Sequence, residues 1–185
     1  MQKNISLEML KFLSKIILTK ILGWKLNGLL PNDKKYIIAV VPHTKSFDLI
    51  IAILIRSYLG LKIKFIGKKE LFNPFTSFLL KSIGGIPVDR SIKNNFVKSV
   101  VKLFESNIIN ILAIAPEGTR KFVKNWKSGF YYIAVGAKIP IVMVSFDYIK
   151  KEVNINDKFF PSGSYDNDIK KLEDLVMDVV VRNKN

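Results

Sequence analysis

The chain holds one histidine, His43, and an aspartate, Asp48, follows it with four residues between. Histidine is the side chain that titrates near neutral pH, so it can take a proton from an alcohol and hand it to a leaving group. A carboxylate on its second ring nitrogen would fix the tautomer and stabilise the imidazolium, the logic of a Ser-His-Asp triad without the serine. This chemistry fits attack of a hydroxyl on an activated acyl group. Ser46 lies in the same stretch, but capping the next helix is its better role. Further on, Arg90 and the tetrapeptide Glu117-Gly118-Thr119-Arg120 set guanidinium groups in turns after apolar runs. Such forks grip the oxygens of a phosphate monoester in pairs. Taken singly, each of these residues also has a plainer reading: surface charge for the arginines, turn for Gly118, cap for Thr119.

The surrounding elements determine whether these residues meet. Tyr36-Ile37-Ile38-Ala39-Val40-Val41 is short, apolar and rich in β-branched residues, which predicts a buried strand leading into His43. Leu49 to Tyr58 has helix length and stops at Gly60, so Asp48 falls in a first helical turn with Ser46 as N-cap. The histidine thus stands at the end of a strand, where open α/β sheets bind ligands. Further strands are expected at 24–29, 61–66, 86–90, 108–115, 139–146 and 151–160, the last as a strand or hairpin. Helices are expected at 75–81, 94–106 and 128–137, with one last helix from Tyr165 to about Val181. In the helix at 94–106, Phe96, Val97, Val100, Val101, Leu103 and Phe104 should face inward. The alternation predicts an α/β fold: one domain with a mostly parallel or mixed sheet flanked by helices. Trp126, Phe130, Tyr131 and Tyr132 read first as core packing, with an acyl channel or interfacial anchors as alternatives.

Residues 5–22 form a helical pattern with one polar stripe, Glu8, Lys11, Lys15 and Thr19, and apolar residues over the rest. An apolar face this wide, bordered by lysines, suits either the bilayer interface or a core helix. We divide the chain into an amphipathic membrane-surface helix, 1–23, and a domain, 24–185. Thirty Lys and Arg against 15 Asp and Glu give a net charge of +15, which attracts polyanions. The positive charge is scattered and nucleic-acid motifs are lacking, so an anionic membrane surface is expected and nucleic acid is not. The absence of cysteine, with one histidine, argues against a zinc site, and no metal is expected. No apolar run is long enough to span a bilayer, and no leader peptide is expected.

In order along the chain stand His43 and Asp48, a block ending in Arg90, Glu117-Gly118-Thr119-Arg120, and Ile139-Pro140-Ile141-Val142-Met143. This series resembles the glycerolipid acyltransferase family, typified by the 1-acyl-glycerol-3-phosphate acyltransferases. The likeness runs from residue 24 to about 150. The family's fourth block, Val-Pro-Ile-Val-Pro in form, is met here without its second proline. The resemblance implies transfer of a fatty acyl group from a thioester, acyl-CoA or acyl-carrier protein, to the free hydroxyl of a lysophospholipid. The expected acceptor is 1-acyl-glycerol 3-phosphate, giving phosphatidate. It implies His43 and Asp48 as the catalytic pair, and Arg90, Glu117, Gly118, Thr119 and Arg120 at the acceptor's glycerol phosphate, with Glu117 either holding Arg120 or meeting the glycerol. No cofactor is implied beyond the acyl thioester. The expected location is the cytoplasmic face of the membrane, peripheral or monotopic, with an acidic carrier protein as a further partner. The alternatives are another lyso-lipid acceptor, or a non-catalytic basic lipid-binding module.

Overall fold

The computed structural model describes residues 2–88, 93–121 and 123–183. Helix α1 spans Gln2–Ile16 and continues as a π-helical stretch, Ile17–Ile21. There follow β1 (Lys25–Asn27), β2 (Tyr36–Val40), α2 (Asp48–Leu59), β3 (Ile63–Lys68), a 3-10 turn (Lys69–Leu71), α3 (Ser77–Ser82) and β4 (Gly85–Val88). The second half adds α4 (Lys93–Glu105), β5 (Ile111–Ile114), α5 (Gly129–Ala137), β6 (Ile141–Asp147), β7 (Glu152–Phe159), α6 (Tyr165–Asp174) and α7 (Met177–Arg182). Among the described residues the strands form one seven-stranded sheet in the order β1-β7-β6-β2-β5-β3-β4. From β6 to β4 all neighbours are parallel, while β7 runs antiparallel to β6 in a hairpin and β1 pairs parallel with β7. The sheet is therefore mixed, with β2 near its centre, hydrogen-bonded to β5 on one side and β6 on the other.

Strand periodicity divides the core in two. Ile37 and Ala39 of β2 and Ile141 and Met143 of β6 point to one face, where they meet Val100 and Phe104 of α4 and Phe130 and Ile133 of α5. Tyr36 and Ile38, with Val142, Val144 and Phe146, point to the other, against Ile51 and Ile55 of α2 and Leu18 and Trp24. Each fully buried side chain of this size contributes roughly 1.5–3 kcal/mol. On α4, Val100 and Phe104 are buried and Phe96, Val97, Val101 and Leu103 pack against the same cluster, as their spacing predicts. Phe130 and Tyr131 are likewise core residues, and Trp126 packs edge-on against Phe130.

Two expectations need correction. The last helix is two helices, α6 and α7, because Val176, at φ −125° and ψ −4°, leaves the helical path where it enters the core. Ser46 is not an N-cap: Phe47 holds that position, with no side-chain cap bond. The stop at Gly60 is as expected, at φ +66° in the left-handed region that glycine enters without strain.

The docking of α1 leaves much of its apolar surface outside. Ser14 and Leu18 are buried toward the body, and Lys11 is half-buried beside Gly60. Met9, Leu10, Phe12, Leu13 and Ile17 face outward. Leu18, in the π-helical stretch, joins the core, while α1 itself packs along α2. Among the described residues, no helix is long and apolar enough to cross a membrane.

Candidate active site

The site lies at the carboxyl ends of the parallel strands. β2 ends at Val40, buried Val41 and Pro42 follow, and His43 emerges just beyond them. The chain then turns back, since the Asp48 N–H donates to the Lys45 carbonyl at 3.2 Å and the Lys45 N–H donates to Asp48 Oδ2 at 3.1 Å. That turn carries Asp48, the first residue of α2, back to the imidazole. His43 Nδ1 and Asp48 Oδ2 are 2.9 Å apart. The carboxylate is buried, whereas the His43 side chain is 31% exposed. With Nδ1–H donating to the carboxylate, Nε2 carries the lone pair of the neutral ring and remains for a substrate.

Asp48 has a third donor that the sequence does not reveal. The Tyr148 hydroxyl donates to Asp48 Oδ1, so both carboxylate oxygens are engaged. Burial, and then the bond to Asp48, push the Tyr148 phenol up, which keeps it protonated and donating. Tyr148 sits in the β6–β7 turn and is held from several sides. Trp24 meets its ring edge-on at 5.1 Å, and Lys45 Nζ lies 4.1 Å from the ring centroid. Its own N–H donates to Asn183 Oδ1 at 3.1 Å. Next to it, buried Asp147 accepts from the N–H groups of Ile149 and Lys150 and from Arg182. The end of α7 thus holds the turn that holds Asp48.

The third block arrives from β5. The Glu117 carboxylate is buried and accepts the His43 backbone N–H at 2.6 Å. It therefore braces the histidine's main chain, while Arg120 turns elsewhere. Burial pushes the Glu117 carboxyl up, aided by the nearby Asp48 charge and opposed by the bond from the His43 N–H. Gly118, at φ +64°, makes the turn, its N–H donating to the Ala115 carbonyl at 3.0 Å. Thr119 Oγ1 accepts the Lys121 N–H at 3.2 Å. Arg120 reaches across and donates from Nη1 to Ser46 Oγ, which engages the hydroxyl first expected to cap α2. Its guanidinium therefore lies over the His43–Asp48 loop. Of the predicted site residues, His43, Asp48, Glu117, Gly118, Thr119 and Arg120 converge on one edge, and Arg90 lies outside the described residues.

An apolar cavity of about 110 Å³ lies between α2 and the sheet, lined among others by Val40, Leu49, Ala52, Ile53, Phe65 and Val144. Leu49, which directly follows Asp48 in the chain, is one of its lining residues.

A buried carboxylate oriented on a half-exposed imidazole, with an arginine across the loop, at the carboxyl edge of a parallel sheet, is suited to proton transfer on an anionic substrate. A family model for acyltransferases matches residues 26–147, which include every element of this cluster except the Tyr148 turn and α7. The chain belongs to the acyltransferase family, and it is an enzyme of acyl transfer. Among solved structures it is similar to the crystal structure of PlsC, the 1-acyl-sn-glycerophosphate (LPA) acyltransferase from Thermotoga maritima. The TM-score is 0.65 and the identity 19%, over 96% of this chain and 79% of that one. At that identity the likeness establishes the fold. A comparison with curated protein sequences gives no match. Family membership sets aside the non-catalytic lipid-binding module.

Proposed function

We propose that the enzyme moves a fatty acyl group from a thioester, acyl-CoA or acyl-carrier protein, to the free hydroxyl of 1-acyl-glycerol 3-phosphate, forming phosphatidate at a membrane surface. The observation that carries this reading is the His43 Nδ1–Asp48 Oδ2 pair at 2.9 Å, half open to solvent beneath Arg120. In the reaction, His43 Nε2 takes the hydroxyl proton as the oxygen attacks the thioester carbonyl carbon. The carbon–sulfur bond then breaks, and the imidazolium returns the proton to the leaving thiolate. Asp48 holds the ring in the required tautomer and stabilises the imidazolium. Glu117 fixes the height of the histidine by its backbone, and Arg120 takes phosphate oxygens, displacing the weaker Ser46 contact. No acyl-enzyme is needed.

Several features support a lipid acceptor. The solved relative is titled an LPA acyltransferase. The outward face of α1 is apolar, and the protein's charge of +15 favours an anionic leaflet, with roughly 1 kcal/mol from each well-placed Lys or Arg. The cavity beside Leu49 offers dry volume to acyl carbons. The test is release of free thiol from an acyl thioester in the presence of lysophosphatidate, with phosphatidate identified by mass spectrometry. His43→Ala is expected to lower the rate by at least about a hundredfold, the usual scale of a general base. Equal thiol release by wild type and variant would sink the catalytic assignment.

A further inference from the structure

A second apolar surface stands apart from α1. Phe75 is 94% exposed, Phe78 85%, Leu79 61% and Leu71 54%. Phe75, Phe78 and Leu79 recur at the spacing of one helical face. Two phenylalanines left this open in water are a cost the body does not recover by packing, and an apolar cluster of this kind usually marks a contact surface. The turn before α3 is firmly built. Asn73 Oδ1 accepts the N–H groups of Phe75 and Thr76, each at 3.0 Å, and the Thr76 hydroxyl donates to the Leu71 carbonyl. Phe75 is therefore held out by a defined turn.

Position and charge identify what the surface meets. Leu71 and Phe75 follow the carboxyl end of β3, the sheet edge at which His43 and Glu117 emerge. A right-handed crossover from β3 to β4 places α3 on the sheet face that carries α2, and Ile83, just after α3, lines the cavity beneath α2. α1 packs on the same helix, so both exposed apolar surfaces lie on one side of the molecule. The segment from β3 to β4 carries Lys64, Lys68, Lys69 and Lys81 against a single acid, Glu70. Apolar side chains flanked by lysines fit the acyl–headgroup boundary of an anionic leaflet.

We infer that the Phe75–Phe78–Leu79 surface is a second lipid-inserting wedge, which with α1 sets the α2 face of the molecule against an anionic bilayer. The inference rests on the membrane-surface part of the proposed function. It implies two-point contact, so that removing either point weakens binding and both together fix which face meets the lipid.

The protein has no cysteine, so a single Phe78→Cys change accepts an environment-sensitive fluorophore at one known place. With vesicles of mixed phosphatidylcholine and phosphatidylglycerol the emission should shift to the blue. The same label at Ser106→Cys, after α4 at the opposite edge, should not shift. Phe75→Ser with Phe78→Ser should lower vesicle partitioning about tenfold or more, the scale of withdrawing two phenyl groups from an apolar phase, with unchanged thermal unfolding. No shift at position 78, or an equal shift at both positions, overturns the wedge. So does a shift without vesicles that grows with protein concentration, since a second copy would then cover the surface. If the double variant fails to fold, the labelled Phe78→Cys protein decides alone. Vesicle binding is read without turnover: absent thiol release would sink the substrate assignment only, and an unshifted label the wedge only.

Discussion

Tyr148→Phe removes one oxygen and leaves the ring in place against Trp24 and Lys45. The buried Asp48 carboxylate then keeps two donors, the Lys45 N–H at 3.1 Å and His43 Nδ1 at 2.9 Å, both on Oδ2, and Oδ1 loses its partner. A hydrogen bond to a charged, buried acceptor contributes about 1.5–3 kcal/mol, so a stability loss near 2 kcal/mol is expected. For a domain of this size that lowers Tm by roughly 4–8 °C, taking about 2–4 °C per kcal/mol. The kinetic effect follows from geometry. A carboxylate held at one oxygen only can rotate, and the imidazole loses its fixed partner in part of the population. We expect kcat to fall about tenfold, equivalent to 1.4 kcal/mol, with little change in acceptor KM because the hydrogen bonds of Tyr148 go to Asp48 and Asn183 and not to Arg120. Steady-state thiol release and calorimetric unfolding, on the same preparation, read both quantities. In an Asp48→Asn background, the same Tyr148→Phe change should cost much less, since the shared partner is already altered. Full kcat in Tyr148→Phe, or an equal loss in both backgrounds, would refute the reasoning. The raised phenol adds a pH test. Its protonated form is favoured by the fold, so the contribution is complete below the ordinary phenol range and declines as pH rises from there toward the higher folded value. Wild type should therefore lose stability from about pH 10 upward through Tyr148, and Tyr148→Phe should lack that loss.

Glu117→Gln keeps an acceptor for the His43 N–H, whereas Glu117→Leu strands that donor and should cost about 1–3 kcal/mol in thermal unfolding. Because burial raises the Glu117 carboxyl, the fold favours its protonated form: that contribution is present below the unfolded value of 4.5 and fades as pH rises through the folded one. Glu117→Gln should therefore match or exceed wild-type Tm at neutral pH, with the gap closing toward pH 4, and a large Tm loss at pH 7 would contradict this. Arg120→Ala should raise the apparent KM for lysophosphatidate about tenfold, the scale of a lost charge-assisted contact, with a smaller effect on kcat. An unchanged KM removes the phosphate role.

Much of this was legible because the chemistry is local. His43 and Asp48 are joined by one turn, and strand, turn and helix are written in the run from Tyr36 to Gly60. Glu117 could be placed at a strand end by the apolar run before it. What failed to show depends on contacts between distant segments. Nothing around Tyr148 distinguishes it from any tyrosine after a strand, because its partner lies 100 positions away. Likewise Ser46 has the composition of a cap, yet Arg120, 74 positions on, engages its hydroxyl. The break before α7 is a tertiary effect, since Val176 turns into the core where helical periodicity alone would run on. The polar stripe of α1 was read correctly, but only packing reveals that the body takes part of that stripe and leaves the apolar face outside.

The central place of β2 bears on how the molecule opens. A strand paired on both edges and buried on both faces should exchange its amide hydrogens only by global unfolding. His43 is rooted on that strand. β4, at the sheet's edge, pairs with β3 alone among the described strands, and α3 beside it buries little. His43 and the exposed Phe75–Phe78–Leu79 surface thus belong to opposite ends of the protection scale. Excursions of the α3 surface can occur many times between openings of β2, so compliance at that surface need not loosen the His43–Asp48 geometry.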